Sequence, residues 1–224
     1  MIKKIAIITA GGKGNRMGTE IPKQFLLLHN KPVLWHTLTA FLKADQDFSF
    51  VLVVPADFIN SAVELINDLQ IADKVIITAG GETRFQSVKN GLAHIKVPAI
   101  VFVHDAVRCL IQPDLINRCF EQAIQKGSAI PAVASTDSVR IEMEDGNKPF
   151  DRSKLRIIQT PQTFKSELII PAFEQAYQDS FTDEATVVET MGNKVHLIEG
   201  DYQNIKITRP IDMLIAQKIL EERN

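Results

Sequence analysis

Cysteine is scarce in this chain of 224 residues: there are two, Cys109 and Cys119, and neither has another Cys or a His at metal-ligand spacing. So few exclude a disulfide scaffold and suit a reducing compartment, so a cytoplasmic location is expected. An excess of one charge is also missing, with 25 Lys plus Arg against 27 Asp plus Glu. Without a basic surplus the molecule is not expected to bind nucleic acid, and any phosphate chemistry must use local positive charge. Long hydrophobic runs are absent too. The first apolar stretch, Ile5 to Ala10, ends in Gly11-Gly12, far short of a membrane span, and reads as a strand. There are no repeats, low-complexity tracts or linkers, so residues 1–224 read as a single domain. Two glycine motifs are ruled out as well. Gly12, Gly14 and Gly18 are spaced one residue too long for a dinucleotide fingerprint, and no Gly-x4-Gly-Lys-Ser/Thr phosphate loop occurs. No Ser-His-Asp or paired-carboxylate arrangement is evident.

What is present is an ordinary globular balance, 45% hydrophobic and 23% charged. Apolar runs at Ile5–Ile8, Phe50–Val54, Val75–Ile77 and Ile100–Val103 predict strands buried on both faces. Helix-period segments lie between and after them: Pro32–Ala44, Phe58–Leu69, Thr83–His94 capped by Thr83, and Pro113–Lys126. This alternation predicts an α/β fold with a doubly wound, mostly parallel, Rossmann-like sheet. The rhythm changes after Ile130. Residues Ser138–Met143 alternate polar with apolar, turn at Asp145-Gly146 and are expected to return through Leu155–Ile158. That pattern predicts a protruding β-arm at about 136–160, whose open edges a second copy of the chain could cover, so a homodimer through the arm is expected. Helices are expected again at Ser166–Gln178, Asp183–Met191 and Pro210–Glu222, with a strand at Lys194–Glu199.

Three segments carry chemistry. The first, Ala10-Gly11-Gly12-Lys13-Gly14-Asn15-Arg16-Met17-Gly18 followed by Pro22-Lys23-Gln24, comes directly after the first strand. Its glycines let backbone N–H groups approach a ligand, and Arg16 and Lys23 add positive charge, a combination that suits a triphosphate. The second, Gly80-Gly81-Glu82-Thr83-Arg84-Phe85-Gln86-Ser87, also runs from a strand end into a helix. It could admit a flat base read by Ser87 and the backbone, although taken alone it is a capped helix start. The third, Val103-His104-Asp105-Ala106-Val107-Arg108, ends an apolar strand in a carboxylate. Asp105 suits Mg2+, which takes few protein ligands, while His104 reads as a packed histidine. Asp151-Arg152, Thr160-Pro161-Gln162, Thr182-Asp183-Glu184 and Asn204-Ile205-Lys206-Ile207-Thr208 each read alone as a cap or surface pair.

Taken in order, these segments resemble the 2-C-methyl-D-erythritol 4-phosphate cytidylyltransferase family over nearly the entire chain. The resemblance implies a nucleotidyltransferase-type sheet and transfer of CMP from CTP to that small sugar-alcohol phosphate, with Mg2+ and release of pyrophosphate. It implies that Arg16 and Lys23 hold the phosphates and the charge that develops at the α-phosphorus. Ala10, Gly11, Gly12, Gly14, Gly81, Glu82, Ser87 and Ala106 would surround the nucleotide, and Asp105 would bind Mg2+. The acceptor would lie against Arg108, Ser138, Thr160, Thr182, Lys206 and Arg152, with Arg152 supplied by the partner subunit. Two departures stand out: Cys109 where the family usually has proline, and Ser138 where it more often has threonine, whose hydroxyl serine can replace. A ribitol 5-phosphate cytidylyltransferase is the alternative enzyme. A silent nucleotide-binding module and a dinucleotide-dependent oxidoreductase are the more distant ones, disfavoured by the joint presence of Arg16, Lys23 and Asp105 and by the glycine spacing.

Overall fold

The computed structural model describes residues 2–11 and 21–223, so Gly12, Gly14 and Arg16 lie outside the described residues. The chain runs through β1 (Lys3–Thr9), β2 (Leu27–Leu28), β3 (Lys31–Pro32), α1 (Val33–Ala44), β4 (Ser49–Val54), α2 (Ile59–Asp68), β5 (Val75–Ala79), α3 (Arg84–Leu92), β6 (Ala99–Asp105) and α4 (Pro113–Lys126). It continues through β7 (Ser128–Ala134), β8 (Val139–Met143), β9 (Gly146–Phe150), β10 (Arg156–Ile158), β11 (Gln162–Lys165), α5 (Ser166–Ala172), α6 (Glu184–Glu189), β12 (Leu197–Glu199) and α7 (Pro210–Arg223).

Alternate residues of the apolar strands go to opposite faces, and helices bury both. Ala6, Ile8, Phe50, Leu52, Val54, Ile100 and Phe102 join Leu38 and Phe41 of α1, Leu65 of α2 and Ile116 of α4 in one core. Their neighbours Ile7, Val51, Val53, Val101 and Val103 join Phe85 and Val88 of α3, Ile169 of α5 and Val188 of α6 in another. Fully burying a side chain such as Phe41 contributes roughly 1.5–3 kcal/mol, so these two layers are the main reason the sheet holds together.

β1 pairs in parallel with β4 and β6, and β4 in parallel with β5. β11 then runs antiparallel between β6 and β7, β10 continues antiparallel along β7, and β12 pairs in parallel with β7. The expected doubly wound, mainly parallel core is therefore present, with an antiparallel strand inserted beside β6. Thr9 stands opposite both Val53 and Asp105, and Val54 opposite Ala79. That register brings the loops after β1, β5 and β6 to one carboxyl edge.

Three expectations change. β8 returns through β9 rather than through residues 155–158, because the turn at Gly146 (φ 126°) closes the hairpin within a few residues. The segment expected to close the arm is β10, whose Arg156, Ile157 and Ile158 pair with Ala134, Val133 and Ala132 of the main sheet. The helix expected to reach Gln178 ends at Ala172. Pro171, inside it, has no N–H to donate and crowds the preceding turn. The strand expected over 194–199 is confined to Leu197–Glu199.

Candidate active site

Backbone hydrogen bonds carry the three loops out from the sheet edge in register. The N–H of Ala10 donates to the Val53 carbonyl at 2.7 Å, that of Gly80 to Val54 at 2.8 Å and that of Ala106 to Thr9 at 3.1 Å. The two glycine loops then touch. A Cβ on Gly80 would stand 3.2 Å from Ser87 Oγ and 3.5 Å from Gly11 Cα, and one on Gly11 would stand 3.3 Å from the same Oγ. Ser87 Oγ accepts from the Gly81 N–H at 3.1 Å and donates to the Thr83 carbonyl at 3.0 Å. The hydroxyl thus shapes the loop and keeps one lone pair in reserve. Thr83 caps α3 as expected, accepting from the Gln86 N–H at 3.1 Å, and Glu82 is exposed beside it. The Ala10 carbonyl accepts from the Gln24 side chain, which draws the segment containing Lys23 back to the first loop.

Asp105 closes β6 and is only 7% exposed, and a buried charge needs partners. Lys206 Nζ lies 2.8 Å from Oδ2, Arg108 Nε 3.7 Å from the same oxygen, and Arg84 Nη2 3.4 Å from Oδ1. Burial alone would raise this carboxyl's pKa, but Arg84 and Lys206, aided by Arg108, outweigh it and hold it below the ordinary carboxylate range. The Asp105 N–H donates to Thr160 Oγ1 at 3.0 Å, and Thr160 is in turn 3.1 Å from His104 Nδ1. His104 Nε2 is 3.2 Å from the Arg108 carbonyl. Fully buried, with Asp105 favouring the charged ring less than desolvation opposes it, the imidazole is pushed down to about 3. It is a packed, neutral histidine, as its isolation in the sequence implied.

The segment around Lys206 is stitched over this carboxylate. Arg108 Nη1 donates to the Asn204 carbonyl at 2.8 Å, Asn204 Nδ2 to the Thr160 carbonyl at 2.9 Å, and Lys23 Nζ to the Ile207 carbonyl at 2.8 Å. Lys23, Thr160, Lys206, Arg108 and Asp105, chosen from segments far apart in sequence, therefore meet. Among the described residues no group of three or more His, Cys, Asp or Glu could hold a metal ion. One carboxylate already flanked by three cations does not hold a metal ion by itself, so a divalent ion here would depend on oxygens brought by a bound phosphate.

Other expected residues stand apart. Thr182 is exposed, its hydroxyl 3.4 Å from that of Thr186. Ser138 and Arg152 are exposed at the base of the arm, where Arg152 donates to the Thr136 carbonyl at 2.6 Å. A groove of about 810 Å3 between α4 and the β7–β12 edge, bordered by Arg118, Arg156 and Tyr202, contains none of the Asp105 partners. Sequence reasoning missed two charged residues of the constellation. Arg84 and Glu184 are bound to each other, Arg84 Nη1 donating to Oε1 and Nη2 to Oε2 at 3.0 Å. Both lie inside segments already singled out, Gly80–Ser87 and Thr182–Glu184, where each charge opens a helix.

Comparison with known proteins gives one answer. Residues 4–222 match the family described as 2-C-methyl-D-erythritol 4-phosphate cytidylyltransferase. The chain is 43% identical to the protein of that name from Bacteroides thetaiotaomicron over 98% of this chain and 100% of the relative. It is 39% identical to the Clostridium novyi protein of that name, over 99% of this chain and 98% of the relative. Among solved structures, 4-diphosphocytidyl-2C-methyl-D-erythritol synthase from Anaerococcus prevotii superposes with a TM-score of 0.84 at 26% identity, covering 98% of this chain and 96% of that one. The 2-C-methyl-D-erythritol 4-phosphate cytidylyltransferase of Francisella tularensis gives 0.79 at 31% identity, covering 96% and 99%.

Proposed function

The chain belongs to the 2-C-methyl-D-erythritol 4-phosphate cytidylyltransferase family, and we propose that its own residues carry out the transfer of CMP from CTP to 2-C-methyl-D-erythritol 4-phosphate in the following division of labour. The backbones of Ala10, Gly11, Gly12, Gly14, Gly81 and Glu82, with Ser87 and Ala106, hold the nucleotide. Thr160, Thr182, Arg108 and Ser138 take the acceptor. An oxygen of the acceptor phosphate attacks the α-phosphorus in line. A new P–O bond forms, the α–β anhydride bond breaks, and pyrophosphate leaves with its electron pair, the products being 4-diphosphocytidyl-2-C-methyl-D-erythritol and pyrophosphate.

The acceptor phosphate is already an anion at neutral pH, so no general base is required, and positioning and charge supply the catalysis. Lys23 and Arg16 stabilise the charge that develops at the α-phosphorus. Lys206, whose Nζ sits 2.8 Å from Asp105 with its side chain 39% exposed, is able to turn toward phosphate. Asp105 would hold Mg2+, which when bound neutralises phosphate charge and orients the triphosphate. The observation that carries this reading is the convergence of Lys206, Arg108 and Arg84 on one buried carboxylate at the edge where the glycine loops meet.

The whole chain acts as one cytidylyltransferase unit in this reading, and the β8–β9 arm joins two copies. The arm carries Ile141 40%, Met143 55% and Phe150 37% exposed, apolar surface that a second copy would cover. Arg152, held at the arm's base, then completes the partner's acceptor site. Among the described residues no helix is long and apolar enough to cross a membrane, and a cytoplasmic location fits the two buried thiols. The test is pyrophosphate release by the full chain with Mg2+ and CTP, comparing 2-C-methyl-D-erythritol 4-phosphate, ribitol 5-phosphate and no acceptor. Release with the first alone is expected, and release with ribitol 5-phosphate instead would overturn the assignment of acceptor.

A further inference from the structure

We propose that Glu184 is a positioning residue for the transfer, acting through Arg84 on Asp105, so that the loop opening α3 and the loop opening α6 are locked to one carboxylate. This rests on the role given to Asp105 above. Glu184 is 1% exposed, so its carboxylate does not meet substrate. Both of its oxygens accept from the Arg84 guanidinium, Oε2 at 3.0 Å, and the same Nη2 that reaches Oε2 lies 3.4 Å from Asp105 Oδ1. A planar fork gripped on one side by a carboxylate has its remaining N–H directions fixed. Without Glu184 the guanidinium would be free to turn onto Asp105 or out to water.

The three acidic and polar residues at this helix start have separate tasks. Asp183 caps α6, its Oδ1 accepting from the Thr186 N–H at 2.9 Å, and its Oδ2 accepts from Gln162 Nε2 at 2.8 Å. Gln162 Oε1 accepts from the Ala185 N–H at 2.7 Å. Because Gln162 belongs to β11, whose residue register places it opposite Val103 of β6, the first turn of α6 is fastened to the strand that ends in Asp105. Thr182 is left exposed for the acceptor. Glu184, in the first helical turn, is therefore held rigidly, and its charge is directed at Arg84 rather than at helix capping. Arg84 is correspondingly the first residue of α3, three before Ser87. The ion pair spans 100 positions of sequence and joins the start of the base-reading helix to the start of the acceptor helix.

The experiment compares steady-state kinetics of the full chain carrying Glu184→Gln, Asp105→Asn and both. Glu184→Gln keeps the shape and removes the charge. It is expected to lower kcat about 10–100-fold, the size of effect typical when a group that orients a ligand-binding residue is lost. The KM for CTP should stay within about threefold, since the Gly81–Ser87 contact does not pass through Arg84. In the Asp105→Asn background the same change should add little, because two residues that act through one path are not additive. Losses that multiply, or a Glu184→Gln loss confined to thermal stability, would overturn the proposal and leave the role of Asp105 intact. Near-normal turnover in Asp105→Asn would remove that role and this proposal together. If Glu184→Gln fails to fold, Arg84→Lys keeps the charge but loses the fork, and the same non-additive pattern with Asp105→Asn is expected of it.

Discussion

The two halves of the candidate site are built differently. On the nucleotide side, the loops after β1 and β5 are in contact within one chain: Gly11, Gly80 and Ser87 lie against one another, and backbone hydrogen bonds tie the loops to β4. On the acceptor side only part of the expected set is gathered. Thr160, Arg108 and Lys206 surround Asp105, whereas Ser138 and Arg152 stay exposed on the base of the arm. A parallel sheet covered by helices on both faces leaves its loops fixed at one edge. An antiparallel arm with a bare face does not, and in the proposed function a second copy completes it. The nucleotide half should therefore respond to point changes as a single-chain site, and the acceptor half as a shared one.

Lys23 offers the largest test of that contrast, because it belongs to the nucleotide loop yet is anchored on the Ile207 carbonyl, 2.8 Å away, next to Lys206. Lys23→Ala is expected to lower kcat on the order of a hundredfold or more, as when one preorganised donor at a developing charge is lost. Pyrophosphate release by a variant with an unchanged circular dichroism spectrum measures it, and near-normal turnover would show that Lys23 is merely a structural tie.

Arg152→Ala should lower kcat about tenfold or more as a lost charge-assisted contact, while stability moves by about 0.5 kcal/mol or less, as for an exposed position. Its distinguishing result is complementation. Arg152→Ala and Lys23→Ala chains unfolded together and refolded as mixed dimers should regain about a quarter of the wild-type sites, since one site of each mixed dimer then has both intact residues. No gain on mixing would place Arg152 in its own chain's site and break the comparison.

The same contrast governs what was legible in the sequence. Strands and helices from Ile5 to Lys126 could be read from period, because burial on both faces writes continuous apolar runs, while Thr83 caps α3 and Pro113 and Gly127 bracket α4. The arm was legible as an alternating segment, but its partner was not. Leu155–Ile158 has the composition of a strand wherever it pairs, and only the fold puts it on β7. In the site, Lys206 read alone as a cap or surface pair and was singled out only by the family resemblance, whereas Asp105 and Lys23 were visible as charges in segments that carry chemistry. Arg84 and Glu184 were not, since a charge at a helix start reads as a cap until its partner, 100 residues away, is seen.

Ser87→Ala should break the nucleotide half gently. It removes the hydroxyl that accepts from Gly81 at 3.1 Å, and the loss of one such bond amounts to about 0.5–1.5 kcal/mol. The KM for CTP is expected to rise roughly three- to tenfold with kcat nearly kept, the pattern of lost uniform binding. An equal fall in kcat and kcat/KM would instead assign Ser87 to the transition state.

The smallest effect concerns the joint between the halves, the chain of hydrogen bonds from the Asp105 N–H to Thr160, His104 and the Arg108 carbonyl. Thr160 Oγ1 already accepts from Asp105, so its proton points to His104 Nδ1, which leaves Nε2–H to donate to the carbonyl. Burial, with the nearby Arg108 charge, opposes a second ring proton and Asp105 offsets only part of that, so the ring titrates at about 3 instead of 6.5. Between those values the unfolded chain binds the extra proton, so folded stability is full above pH 6.5 and falls as the pH drops toward 3. From pH 7.5 to 5.5 this one group should remove on the order of 1 kcal/mol, a Tm lower by a few degrees. His104→Gln keeps an acceptor and a donor but cannot titrate, so it should show that much less loss over the same interval in calorimetric melts. Equal pH slopes in the two proteins would mean that the imidazole is not held neutral, and that the carboxylate end of β6 is less rigidly joined to Thr160 than its hydrogen bonds imply.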